Sequence, residues 1–134
     1  MKIRKIEHLG LACRSAEAAA KFYSELLGLP VVDRETLDDQ KLKVVKVAAG
    51  ESVLELLEPL PGEPVISKFL EKRGEGFHHL CLEVDDVRAA TAELRAKGCV
   101  PLWEEPRPGA GGRLVNFLRP REAFGVLLEL NQPP

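Results

Sequence analysis

Aromatic residues are scarce in this chain of 134 residues: one Trp, one Tyr and five Phe, or 5% in all. They do not interleave with a basic stripe, and 19 Lys and Arg against 21 Asp and Glu leave a formal charge of −2. A polyphosphate backbone finds no electropositive face in such a sequence, so nucleic acid is not an expected partner. No apolar run approaches the roughly 20 residues that a membrane helix needs, and the start Met1-Lys2-Ile3-Arg4 does not resemble a signal peptide. Cysteine is also sparse. Cys13, Cys81 and Cys99 are odd in number and lack CxxC spacing, which predicts reduced, mostly buried thiols of a cytoplasmic protein. What remains is ordinary globular composition, 45% hydrophobic and 30% charged, long enough for one domain over 1–134 with a real core.

Within that domain one pattern is written twice. The stretch Phe77-His78-His79-Leu80-Cys81-Leu82-Glu83-Val84 alternates as a strand, with His79, Cys81 and Glu83 on one face and Leu80, Leu82 and Val84 on the other. Its partner near the N-terminus is His8-Leu9-Gly10-Leu11-Ala12-Cys13. Placing His8 on His79 carries Leu9 onto Leu80, Leu11 onto Leu82 and Pro30 onto Pro101. Each copy predicts a βαβββ module. In the first, a strand over 3–13 leads to Ser15 as N-cap of a helix through Leu27, with Gly28 and Pro30 closing it. Strands follow at 31–37, 42–48 and 53–57. A Pro-rich linker, 59–64, and a short helix, 65–72, separate the modules, which span about 1–60 and 75–134. In the second, strand 77–84 is followed by Asp86 as N-cap, a helix over 87–97, and strands at 100–104, 114–118 and 125–130. Residues 106–112 form a Gly/Pro loop and 131–134 a tail. The expected class is α+β, with the two modules paired so that neither leaves an apolar sheet face uncovered.

The last strands of the copies also correspond: Val53-Leu54-Glu55-Leu56 matches Leu127-Leu128-Glu129-Leu130. A lone strand histidine is most often only hydrogen-bonded, and a lone strand glutamate usually faces water. Here the glutamates lie between apolar neighbours, where an unpaired buried carboxylate is costly. Both recur in step with His8 and His79. Two imidazoles and two carboxylates converging from related sheets would suit a divalent cation with open positions, such as Co, Mn, Ni or Zn. His78 points to the opposite face, has Glu7 at its counterpart position, and is expected to be structural.

With His8, Glu55, His79 and Glu129 in this order, the chain resembles the vicinal oxygen chelate superfamily, and within it the methylmalonyl-CoA epimerases. The similarity runs nearly end to end, through Ile6-Glu7-His8-Leu9-Gly10-Leu11-Ala12, Leu56-Leu57-Glu58-Pro59-Leu60, residues 76–84, Phe117-Leu118-Arg119-Pro120 and residues 125–130. The resemblance implies sheets forming a cup around a metal site, one divalent ion per chain with cobalt expected first, an acyl-CoA substrate and a homodimer. It implies interconversion of (2R)- and (2S)-methylmalonyl-CoA by proton transfer at C2. Glu129 is then one catalytic acid/base. Some members of the family carry another catalytic glutamate on the strand before Glu55, where this chain has Val44. Glu55, acting as ligand and second acid/base, is expected to fill the role, with another carboxylate or a water as alternatives. The loop from Arg107 to Arg113, through Gly111, Gly112 and Arg113, would approach the thioester or the CoA phosphates, or simply join two strands. Rival activities on the same scaffold are a glyoxalase I-like lactoylglutathione lyase, an extradiol dioxygenase and a metal-free small-molecule binding module. The Arg119-Pro120-Arg121-Glu122-Ala123-Phe124-Gly125 turn differs from the Asp-Pro-Asp-Gly turn usual in glyoxalase I.

Overall fold

The computed structural model describes every residue from Met1 to Pro134. The chain divides into two compact units. One comprises His8–His78, the other Met1–Glu7 together with His79–Pro134. The first strand, β1 (Ile3–Ala12), therefore contributes to both.

In the unit His8–His78, strands β2 (Val31–Leu37), β3 (Leu42–Ala49) and β4 (Ser52–Pro59) lie with β1 in the order β2-β3-β4-β1. β1 pairs with β4 in parallel, and the other pairings are antiparallel. Strand periodicity then sorts the side chains. Leu11, Cys13, Val45, Val47 and Leu56 share a buried cluster with Ala16 and Ala20 of helix α1 (Ala16–Lys21). On the opposite face Ala12, Val44 and Leu57 pack with Ile66 and Leu70 of α2 (Val65–Arg73).

Ser15 caps α1 as expected, its hydroxyl accepting the Ala18 N–H at 3.1 Å. The predicted helix through Leu27 is only partly α-helical, because Phe22–Leu26 widens into a π-helical turn. Gly28, at φ +73, then ends it, its N–H donating to the Ser24 carbonyl at 3.1 Å. A left-handed residue of this kind favours glycine. The linker is less passive than its prolines suggested. Both Glu63 carboxylate oxygens accept backbone N–H bonds at the start of α2, from Val65 at 3.0 Å and Ser67 at 2.9 Å.

β5 (Gly76–Val84) enters the other unit at His79, and α3 (Val87–Ala96), β6 (Arg107–Pro108), β7 (Leu114–Leu118) and β8 (Leu128–Gln132) follow there, with strand order β5-β8-β7-β6. Asp86 caps α3, accepting from the Ala89 N–H at 3.0 Å. Val87, Ala90 and Leu94 of α3 pack on Leu82, Val84, Leu114 and Leu130, the even-numbered face of the strands.

Two strand expectations are corrected here. Residues 100–104 are not a strand: Pro101 has no N–H, and a side chain replaces part of the missing ladder. Leu102 donates to the Phe117 carbonyl at 2.7 Å. Trp103 donates to Asn116 Oδ1 at 3.1 Å, and its carbonyl accepts from Asn116 Nδ2 at 3.0 Å. The short β6 falls instead inside the stretch expected to be loop. The last strand also begins later than 125, because Phe124 and Gly125 both have positive φ and complete a turn. It extends through Gln132 into the expected tail.

Candidate active site

The parallel pairings fix where the expected site residues lie. In one unit His8 lies opposite Val53 and Gly10 opposite Glu55. In the other, Leu80 lies opposite Leu128 and Cys81 opposite Glu129. The registers are equivalent under the sequence repeat. In each unit the histidine and glutamate occupy the strand face turned away from α1 or α3, which is why they alternate with the apolar residues packed beneath those helices.

Each unit brings its own pair together. His8 Nδ1 lies 3.3 Å from Glu55 Oε2, with side chains 4% and 15% exposed. His79 Nε2 lies 3.4 Å from Glu129 Oε1, with side chains 9% and 11% exposed. Carboxylates removed from water to this degree demand a positive or hydrogen-bonding partner. Imidazole nitrogen and carboxylate oxygen at this separation form a donor set suited to a divalent first-row cation. The residues present therefore fit the metal that the sequence implies.

The surroundings of the two glutamates differ. Across the sheet Glu55 faces Lys46 of β3, whose ammonium lies 3.3 Å from Glu35 and 4.0 Å from Asp33. Glu129 faces Phe117 of β7. The Phe117 ring stands edge-on to His79 at 6.3 Å and to Trp103 at 5.5 Å, with the Arg107 guanidinium 4.5 Å from the Trp103 ring centre. On its other flank, Glu129 Oε2 accepts from the wholly buried Cys81 thiol at 3.4 Å.

Three residues beside these pairs, Asn131, Glu7 and Glu83, carried no functional expectation. Asn131, 1% exposed, donates through Nδ2 to Glu7 Oε1 at 3.2 Å and accepts at Oδ1 from Arg113 Nη1 at 3.1 Å. Arg113 also meets Glu83 at 3.3 Å. Asn131, assigned to the tail, keeps the two-residue alternation of Glu129, and that spacing was the available signal. Glu7 and Glu83, both buried, lie next to His8 and four residues beyond His79 respectively.

Arg113 is thus anchored by one nitrogen within its unit, while Gly111 and Gly112 are exposed. Val44, at the second catalytic position of the resemblance, is 4% exposed and belongs to the apolar cluster under α2. His78 stacks edge-on against Phe69 at 5.2 Å, and burial holds its imidazole below the ordinary pKa, against a smaller raising effect of Glu63.

Residues 7–117 match the model of the glyoxalase/bleomycin resistance protein/dioxygenase superfamily, and the chain belongs to that superfamily. Its α+β arrangement of βαβββ order is the arrangement of that class. Within the class it groups with the methylmalonyl-CoA epimerases. It is 40% identical over 129 residues to the mitochondrial methylmalonyl-CoA epimerase of Homo sapiens, covering 96% of this chain and 73% of that protein. It is 37% identical to the ethylmalonyl-CoA/methylmalonyl-CoA epimerase of Cereibacter sphaeroides, covering 97% of this chain and 98% of the other. A solved methylmalonyl-CoA epimerase in complex with methylmalonyl-CoA and NH4+ superposes with a TM-score of 0.89 at 34% identity, covering 98% of this chain and 96% of that one.

Proposed function

We propose that this enzyme interconverts the C2 epimers of methylmalonyl-CoA, with His8, Glu55, His79 and Glu129 holding one divalent cation. The observation that carries the reading is the duplicated, buried imidazole–carboxylate pair, His8–Glu55 and His79–Glu129, at equivalent registers. Cobalt is the first choice, with manganese, nickel or zinc able to take the same nitrogen and oxygen donors. The cation would supply positive charge to the thioester oxygen and the free carboxylate as charge develops during proton removal.

The chain's own task is to move the proton. Glu129, backed by the Phe117 ring and the Cys81 thiol, takes the C2 proton from one face, and the C–H electron pair moves toward the thioester carbonyl. Glu55, carried by the other unit, delivers a proton to the opposite face and takes it in the reverse direction. Val44 is buried in apolar contacts and has no acid/base chemistry to offer. Gly111, Gly112 and Arg113 bind the thioester arm, the glycines by close backbone approach and Arg113 by its remaining N–H donors. The active form is a cytoplasmic homodimer.

The test is exchange of the C2 proton of methylmalonyl-CoA in heavy water, started separately from each epimer. We expect exchange that a chelator abolishes and added cation restores. Loss of an acid/base group costs on the order of 10²–10⁴-fold, so Glu129→Gln and Glu55→Gln should each reach that range from at least one epimer. Wild-type exchange from both epimers in Glu55→Gln removes Glu55 from proton transfer. Chelator-insensitive exchange in the wild type removes the cation.

A further inference from the structure

The sequence repeat supplies an internal control on the two glutamates. The residue in register beside Glu129 on the neighbouring parallel strand is Cys81, and the residue in the same place beside Glu55 is Gly10. One copy thus sets a thiol against its carboxylate where the other sets no side chain. Cys81 is fully buried, with Sγ 3.4 Å from Glu129 Oε2 and 3.9 Å from the Leu82 carbonyl. A thiol has one proton to donate, and of these two acceptors the nearer, charged oxygen is the better one; a Glu7 carboxylate oxygen also lies within 4.8 Å of the sulfur. The other carboxylate oxygen, Oε1, lies toward His79 Nε2 at 3.4 Å.

We infer that Cys81 is a positioning residue for Glu129. Its S–H engages Oε2 and so limits the carboxylate to presenting a single oxygen, Oε1, on the His79 side. This inference rests on the proposed cation site and on Glu129 as acid/base. The physical consequence is specific. A glutamate free to rotate can place both oxygens on a cation, and a carboxylate clamped in that way is a poorer proton acceptor and occupies a position that substrate needs. The thiol is a weak donor, but in a largely buried site its bond to a carboxylate oxygen counts for more than it would in water. Glu55, beside Gly10 and across from Lys46, has no equivalent thiol. The two glutamates are therefore chemically unequal even though their backbone registers match.

The experiment compares wild type, Cys81→Ala and Cys81→Ser, each loaded with Co2+, by three readouts: cation affinity from chelator competition, the visible absorption of bound Co2+, and kcat and KM for epimerisation. Alanine deletes the donor and serine keeps one. We expect kcat of Cys81→Ala to fall roughly tenfold, less than the 10²–10⁴-fold that outright loss of an acid/base group costs, because the carboxylate is displaced and not removed. Its Co2+ spectrum should change in shape, because coordination geometry is visible there, while cation affinity stays the same or rises. Cys81→Ser should restore both kcat and the spectrum. A Cys81→Ala enzyme with wild-type kcat and spectrum overturns the inference. So does a Cys81→Ser enzyme as impaired as the alanine variant, since that would mean the site needs the volume of sulfur rather than a donor. If alanine prevents folding, the serine variant decides alone: wild-type kcat and spectrum support the donor role, and loss of either overturns it. A wild type that binds no cation and exchanges no C2 proton defeats the functional reading itself, and this inference with it.

Discussion

His78 and His79 are neighbours with opposite duties, and the period-2 geometry of a strand is enough to separate them. His79 shares its face with Cys81, Glu83 and the carboxylate of Glu129, whereas His78 turns to Phe69. Burial lowers the His78 pKa in the folded state, so the unfolded chain binds more protons there. Stability from this residue is fully present above the unfolded value of about 6.5 and is lost as pH falls through the lower folded value. Urea midpoints of wild type and His78→Phe, measured at pH 7.5 and pH 5, check this. The wild type should lose more stability on acidification than the variant, and equal losses would exclude His78 as a contributor. The same alternation made the pairing of His8 with Glu55 and of His79 with Glu129 legible in the sequence. It did not reveal Asn131, whose importance depends on Glu7, 124 residues away in the chain. Nor did it reveal the thiol bond of Cys81, because a buried cysteine in a strand gives the same pattern whether it donates to a carboxylate or only fills space.

Among the elements, the starts of α1 and α3 followed local chemistry and were foreseeable, whereas the π-helical turn after α1 and the Glu63 bonds at the start of α2 were not. Ser15 and Asp86 both cap as their side chains allow. The strands expected at 100–104 and 125–127 do not form, because hydrophobic residues alone do not make a ladder when Pro101 lacks a donor and the Phe124-Gly125 turn interrupts the backbone. What holds 101–103 instead is Asn116. This residue is wholly buried. Its Oδ1 accepts from Trp103 N–H and Phe117 N–H, and its Nδ2 donates to Thr91 Oγ1 and the Trp103 carbonyl. Asn116→Ala should therefore cost on the order of 3 kcal/mol, since several buried groups lose partners at about 1–3 kcal/mol each. Denaturant unfolding measures this, and a change below about 1 kcal/mol would show that water replaces the amide without loss.

At the scale of the whole molecule, the duplication explains why so much of the fold could be anticipated: two copies of one pattern constrain each other's register. It also makes the cation a candidate for stabilising the folded state. A ligand that binds only the folded form at 100 times its Kd adds about 2.7 kcal/mol. Saturating Co2+ should therefore raise the melting temperature measurably, and excess chelator should return it to the metal-free value. The quadruple variant His8→Ala, Glu55→Ala, His79→Ala, Glu129→Ala should show no response to Co2+. If the response survives in that variant, the stabilising ion sits elsewhere.

One unit is drawn from a continuous run, His8–His78, and the other from the stretches on either side of it, Met1–Glu7 and His79–Pro134. On the ribosome these two cannot mature together. The run that carries His8 and Glu55 has all its own residues once His78 has emerged, while Met1–Glu7 must wait for strand β8, which is made much later. The Asn131–Glu7 bond is accordingly among the last long-range links to close. A ribosome stalled before residue 128 would hold a nascent chain with one of its imidazole–carboxylate pairs assembled and the other still missing its glutamate.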